Sequence, residues 1–347
     1  MGLGAAGTLW PLALGAGAPP TTIHTVFDLA SLTKPLTALT LARLESRGIL
    51  AREESLGAVL GQAIPEIMGS ASAEVPLDLL LAHRAGLVAH NPFYEGLLRG
   101  ERPQVADVLL AAANFRRAGC SGRPPQDGFP PIYSDLGYLL VGAAMEARTG
   151  ESLDGLMARE VVSALDLAPE DALGSVRQLR ACGVVDERIA PTEVVAWRGG
   201  LVRGVVHDEN AWLVAGEGTA GHAGVFGSAR AVVALGQLLL DVLGGRSAWL
   251  RPNELASLIR PRPGGSLAAG FDRRSQEPFV TAASGAHFGA QTFGHLGFTG
   301  TSIWIDPEAE LTAVLLTNRV CPTRDHRAIR GARPIAYDAM HQALTLG

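Results

Sequence analysis

Residues 27–48 read FDLASLTKPLTALTLARLESRG. Apolar residues recur there at helical spacing, and Gly48 supplies the stop. The first turn of this expected helix carries Ser31 and, three positions on, Lys34. Residues at i and i+3 share a helix face about one turn apart, so the amine comes within reach of the hydroxyl proton. At a helix N-terminus, unpaired N–H groups and the positive dipole end favour developing negative charge. A serine needs an adjacent base to act as a nucleophile, and a desolvated lysine can serve. Taken alone, the same residues also read as a helix cap and a solvated charge.

Composition singles out the same position. The chain has 347 residues and 29 basic side chains, of which only Lys34 is a lysine. Arginine keeps its proton near neutral pH, whereas burial and neighbouring charge can make a lysine release one.

The rest of the chain frames this helix. Strand patterns at 7–15 and 22–28 precede it, divided by a turn at Pro19-Pro20. From 50 to about 200 the pattern is helical with loops rich in Gly and Pro, and the clearest helices are expected at 105–117, 134–150 and 152–167. A helix at 227–245 has Ser228 as its N-cap. Beyond 285 the pattern changes to strands at 287–300, 301–307 and 310–319, followed by a closing helix at 332–344. The expected fold is a single α/β (α+β) domain over 1–347: an antiparallel sheet flanked by helices and built from both chain ends. Its α/β lobe would take about 1–50 and 225–347, and an all-helical lobe of about 51–224 would be inserted between them. A cleft between two such lobes is a common place for a site.

Two further segments carry chemistry. Tyr133-Ser134-Asp135 opens a helix after Pro130-Pro131, where the phenol can relay protons and Asp135 can hold Lys34. The alternative is that Ser134 or Asp135 caps the helix and Tyr133 packs on the loop. The second segment, GHLGFTG at 294–300, is a strand punctuated by glycines. Glycine inside a strand often marks a close backbone approach, to a ligand or merely in packing.

The order Ser-x-x-Lys, Tyr-Ser-Asp, His-x-Gly resembles the serine β-lactamase and penicillin-binding-protein superfamily, nearest its class C-like branch of esterases and D,D-peptidase-like hydrolases. The phrases FDLASLTKPL, LLAHRAGL, AGHAGVF and GHLGFTGTSIWIDP extend the likeness from about residue 22 onward. The resemblance implies a β-lactamase/transpeptidase-like fold and a serine hydrolase that forms an acyl-enzyme without cofactor or metal. Ser31 would be the nucleophile, with Lys34 and Tyr133 the acid/base pair. The oxyanion hole would be the N–H groups of Ser31 and Phe298, and Asp135, His295 and Gly297 would bind substrate.

Three departures from the family pattern shape the expected function. Asp135 stands where the family has Asn, so an amide donor becomes an acceptor-only carboxylate, which also favours the charged form of Lys34. His295 replaces the lysine of Lys-Thr-Gly, removing the fixed charge that would meet a substrate carboxylate. Both changes lean toward small carboxylic esters or amides, with esterase action preferred over β-lactamase or D-Ala-D-Ala carboxypeptidase action. A transacylase using the same acyl-serine and a catalytically silent ligand-binding relative are the other readings. Thirdly, only 30 residues precede Ser31, fewer than the family places there.

Other classes are excluded or disfavoured. A net charge of −5 with scattered arginines gives no footprint for nucleic acid. No apolar run is long enough to span a bilayer, and no basic residue precedes Lys34, so the secretory pattern is missing and a cytoplasmic location is expected, with a periplasmic or exported one the alternative if the true start lies upstream. Cys120, Cys182 and Cys321 form neither a zinc pattern nor a disulfide framework. GEGTAG at 216–221 matches a dinucleotide fingerprint but lacks its strand-turn-helix setting. His207-Asp208-Glu209-Asn210 lacks metal-ligand spacing and reads as a loop in which Asp208 and Asn210 tie down backbone. His83 and His222 read as structural. Nothing in the sequence specifies an oligomeric state.

Overall fold

The computed structural model describes residues 20–275 and 282–345. Helix α1 spans Thr33–Ser46 and is entered through a 3-10 turn at Ala30–Leu32. Most of α1 is buried, so it is a central helix and not an amphipathic surface one. Its threonines satisfy themselves internally: Thr40 Oγ1 donates to Leu36 O at 2.8 Å, and Thr37 Oγ1 to Gly221 O at 2.6 Å.

Among the described residues there are nine short strands. In chain order they are β1 (Phe27–Asp28), β2 (Leu173–Ser175), β3 (Val194–Val195), β4 (Gly200–Leu201), β5 (Val225–Gly227), β6 (Asp272–Arg273), β7 (Phe293–Leu296), β8 (Ser302–Asp306) and β9 (Leu311–Leu315). They form antiparallel sheets in the orders β1-β5-β2, β3-β4 and β6-β7-β8-β9. In the largest sheet, side chains alternate between faces as a two-residue period requires. Ile303 and Ile305 join the main core with Phe293, Leu235 and Leu239. Trp304 packs on the other face with Phe288, Ala313 and Tyr337. The helix Ala229–Leu243 lies on the first face, where Gly236 meets Thr312, and the helix Ile329–Thr345 brings Tyr337 to the second.

The mixed fold with antiparallel sheets flanked by helices agrees with the sequence reading. Ser228 caps its helix as expected, and the helices expected at 105–117 and 134–150 span Val105–Asn114 and Asp135–Thr149. The helix expected over 152–167 is shorter, Leu153–Glu160. Two details differ. Among the described residues the four-stranded sheet comes from the C-terminal part alone, and β1 pairs with β5 instead. The strand expected at 22–28 shrinks to Phe27–Asp28 because residues 22–25 form a turn, in which the Thr25 N–H donates to Thr22 O at 3.1 Å and the Thr22 N–H to Thr25 Oγ1 at 2.9 Å; the one expected at 7–15 lies outside the described residues. The stretch expected to be all-helical also contains β2, β3 and β4, whose two or three residues are too few to print a strand period.

The glycines of GEGTAG have a packing role. A Cβ on Gly221 would collide with the carbonyl of Tyr138, and Gly142 meets Gly221 backbone at 3.0 Å from its own would-be Cβ. This approach presses the 216–224 loop onto the helix Asp135–Thr149 and sets the carbonyl of His222 above α1. Gly221→Ala is therefore expected to lower stability by about 3 kcal/mol in urea unfolding. Gly331→Ala, a helical position with nothing near its would-be Cβ, is expected to be neutral or to stabilise by up to about 1 kcal/mol.

Candidate active site

The turn bearing Ser31 is held from several sides. Ala30 adopts φ +49, a left-handed conformation costly for a residue with a Cβ. The Asp28 carboxylate fixes it, accepting the Ala30 N–H at 2.8 Å through Oδ1 and the His207 N–H at 2.8 Å through Oδ2. Thr299 Oγ1 donates to Asp28 O at 2.7 Å and Thr301 Oγ1 to Leu29 O at 2.9 Å, stitching the loop after β7 to the same turn.

Lys34 rises from the first turn of α1 with none of its surface exposed. Its Nζ donates to Ser31 Oγ at 2.9 Å, to Asp135 Oδ1 at 2.7 Å and to His222 O at 3.4 Å. The Tyr133 ring centroid lies 4.6 Å from Nζ. Burial opposes the charge on Lys34, but the Asp135 carboxylate and the Tyr133 phenol outweigh it and raise its pKa. Burial likewise pushes Asp135 up, yet Lys34 and His90 prevail and hold the carboxyl below its ordinary value. Burial raises the Tyr133 phenol above its ordinary value despite hydrogen bonding with Lys34 and Ser31. The resting site thus holds an ammonium, a carboxylate and a neutral phenol.

Two buried histidines flank Tyr133. His83 stacks on it at 4.5 Å between ring centroids, and His295 of β7 lies at 5.9 Å. Burial and the Lys34 charge depress both to about 3, so both rings are neutral at physiological pH. His83 Nδ1 accepts the Ser134 N–H at 2.9 Å, and the Ser134 hydroxyl donates to Val88 O at 2.7 Å. Ser134 thereby positions Tyr133 and does not cap the following helix with its side chain.

After β7 the backbone turns beside Ser31. A Cβ on Gly297 would meet Leu29 O at 2.6 Å and collide with Thr301 Oγ1, so the close approach here is made by the protein's own chain. Gly297 O accepts from the buried Arg333 at 3.0 Å and from Gly300 N–H at 3.1 Å. Because C=O and N–H of one peptide point in opposite directions, this anchors the peptide whose N–H belongs to Phe298. That N–H makes no hydrogen bond among the described residues. The half-exposed Phe298 ring packs between His207, at 5.8 Å, and the Arg319 guanidinium, at 4.5 Å.

The structure thus gathers Ser31, Lys34, Tyr133, Asp135 and His295 around one ammonium, with Gly297 and Phe298 beside the serine turn. Sequence reasoning missed His90 and Arg333, which belong to no motif, and gave no role to Asp28 although it lies within FDLASLTKPL. It read His83 and His222 as structural, and the structure sets both against the site: His222 lends its carbonyl to Lys34 and pairs through Nε2 with Asp208 at 2.9 Å. Asp208 and Asn210 do tie down backbone, at Ala211 N–H, Tyr94 N–H and Asn91 O.

A mixed fold with a Ser-x-x-Lys turn and a tyrosine over the lysine defines the class of serine hydrolases with a β-lactamase-like fold. The chain matches the Beta-lactamase family over residues 7–337 and belongs to it; it is a hydrolase. It is 30% identical over 315 residues to the N-acetylmuramyl-L-alanine amidase of Bacillus subtilis (strain 168), covering 85% of this chain and 68% of the relative. It is 28% identical over 320 residues to a putative D-alanyl-D-alanine carboxypeptidase of Escherichia coli (strain K12), with 86% and 70% covered. The simvastatin synthase of Aspergillus terreus superposes with a TM-score of 0.66 at 17% identity over 95% of this chain and 87% of that one. A hydrolase with promiscuous acyltransferase activity gives 0.62 at 20%, over 91% and 86%. These two structures share the fold. No described helix is long and apolar enough to cross a membrane.

The two neutral histidines make stability pH-dependent. Their folded pKa values lie below the unfolded value, so the unfolded chain binds more protons below about pH 6.5 and stability falls as pH drops from there toward 3. Between pH 7 and 5 each is expected to remove up to about 2 kcal/mol. Urea unfolding at the two pH values measures the loss, and His295→Gln should lessen it.

Proposed function

We propose that this β-lactamase-family hydrolase cleaves carboxylic esters and small amides through an acyl-enzyme on Ser31. The observation that carries the reading is the buried Lys34 Nζ, 2.9 Å from Ser31 Oγ and within reach of Tyr133. Acylation proceeds from the form of the site that has lost one proton from the Lys34–Tyr133 pair. Ser31 Oγ adds to the substrate carbonyl as its proton passes to that pair. The N–H groups of Ser31 and Phe298 receive the oxyanion, and the pair returns the proton to the departing alcohol or amine. Water then attacks the acyl-serine by the reverse proton path, releasing acid and free Ser31.

Ester cleavage is the preferred reading because Asp135 and the neutral His295 offer no fixed cation for a substrate carboxylate. Amide cleavage is the second reading, favoured by the similarity to an N-acetylmuramyl-L-alanine amidase and to a putative D-alanyl-D-alanine carboxypeptidase.

Labelling with a fluorophosphonate, together with turnover of a p-nitrophenyl ester and a chromogenic cephalosporin, tests these roles. The parent should label and turn over the ester faster; Ser31→Ala should do neither. Lys34→Arg keeps the charge but cannot act as a base, and should lower kcat/KM by about 100-fold or more. A Ser31→Ala protein that behaves as the parent would refute the mechanism, and faster cephalosporin turnover would refute the ester preference. Since Asp135 raises the Lys34 pKa, kcat/KM should climb as pH rises above neutrality, and Asp135→Asn should move that climb to lower pH.

A further inference from the structure

Asp135 divides its carboxylate between two directions. Oδ1 accepts from Lys34 at 2.7 Å. Oδ2 lies 3.8 Å from Nδ1 of His90, whose side chain is 46% exposed, an ion-pair distance too long for a hydrogen bond. The loop carrying His90 is fixed against the site, because Asp135 N–H donates to Ala89 O at 3.0 Å and Ser134 Oγ to Val88 O at 2.7 Å. Asn210 fastens the same loop at Asn91 O.

The surroundings favour a positive charge at that place. The Asp135 carboxylate holds the pKa of His90 above its ordinary value against burial, and the charges of Asp208 and Glu209 add to the effect. Asp208 is paired with His222, and Glu209 with Arg324. The Lys34 ammonium, the nearby like charge, is already engaged by Oδ1. Since one Lys34 Nζ touches both Ser31 Oγ and Asp135 Oδ1, Asp135 stands one side chain away from the nucleophile. That is the reach of a group on the carbon next to the carbonyl under attack. An acceptor-only carboxylate there repels a carbonyl oxygen and accepts from a donor, most strongly from a charged one.

We propose that Asp135 selects acyl groups bearing a free, protonated amine on the carbon next to the scissile carbonyl, so that the substrates are aminoacyl esters or amides and Oδ2 accepts from the ammonium. The proposal rests on Ser31 as the acylated nucleophile and narrows the substrate class of that site. N-acylated analogues lose the charge, and with it the preference.

Two boronic acids test this without requiring turnover: 1-aminoethylboronic acid and 1-acetamidoethylboronic acid, whose boron accepts an electron pair from the serine oxygen. The parent should be inhibited at least about tenfold more tightly by the amino compound. Asp135→Asn should erase or invert that ratio. His90→Lys, which sets a fixed cation beside Oδ2 at an exposed position, should reduce it. Equal or tighter inhibition of the parent by the acetamido compound overturns the proposal, as does an Asp135→Asn protein with the parent's ratio. If both compounds bind Ser31→Ala as they bind the parent, the nucleophile assignment fails and the proposal falls with it. Serine-dependent binding without amine preference refutes the role of Asp135 alone.

Discussion

A single buried ammonium organises this molecule. Stripping water from a charged amine costs several kcal/mol unless partners replace the lost hydrogen bonds. Lys34, wholly enclosed, finds three: a hydroxyl one turn back, a carboxylate at the head of another helix, and a carbonyl from a third segment. Each partner imposes a demand on the fold. The carboxylate requires the helix Asp135–Thr149 to begin above α1. The carbonyl of His222 requires a loop pressed so closely onto that helix that Gly142 and Gly221 can carry no side chains. The hydroxyl requires the turn at Ala30 to stay in a conformation that Asp28 and two threonines hold in place.

The second layer explains why the charge sits on the lysine alone. His83 and His295 border the same phenol but are stripped of water without a carboxylate of their own, so they stay neutral. Aromatic faces rather than further cations surround Lys34 on that side. Among the described residues Asp135 supplies the one negative charge in contact with it, and its second oxygen faces the part-exposed His90.

How much of this could be read in the sequence followed from separation along the chain. The contact of Ser31 and Lys34 is local and follows from helical spacing. The helix 134–150 was legible because its apolar period is long, and the strands after 285 because β-branched residues alternate there. The pairing of Lys34 with Asp135, 101 residues away, could be read only as one alternative from the charges, and the family-like phrases gave it weight. His90 and Arg333 stand in no such phrase, and Asp28, which does stand in one, was given no role there. Their partners are mostly backbone groups, which every residue carries and no residue type announces. The short strands β2, β3 and β4 escaped notice for a related reason: two or three residues hold no period. GEGTAG could be set aside only by its setting, since a glycine needed for helix packing looks the same in one letter as a glycine that cradles phosphate.

The grip of Arg333 on Gly297 also bears on how the protein is made. The peptide it anchors carries the N–H assigned to the oxyanion hole, while the serine turn it serves lies near residue 30. A nascent chain emerging from the ribosome displays Ser31 and Lys34 roughly three hundred residues before Arg333 leaves the exit tunnel. During that interval Ser31 is present but the contact that fixes the peptide beside it cannot yet form.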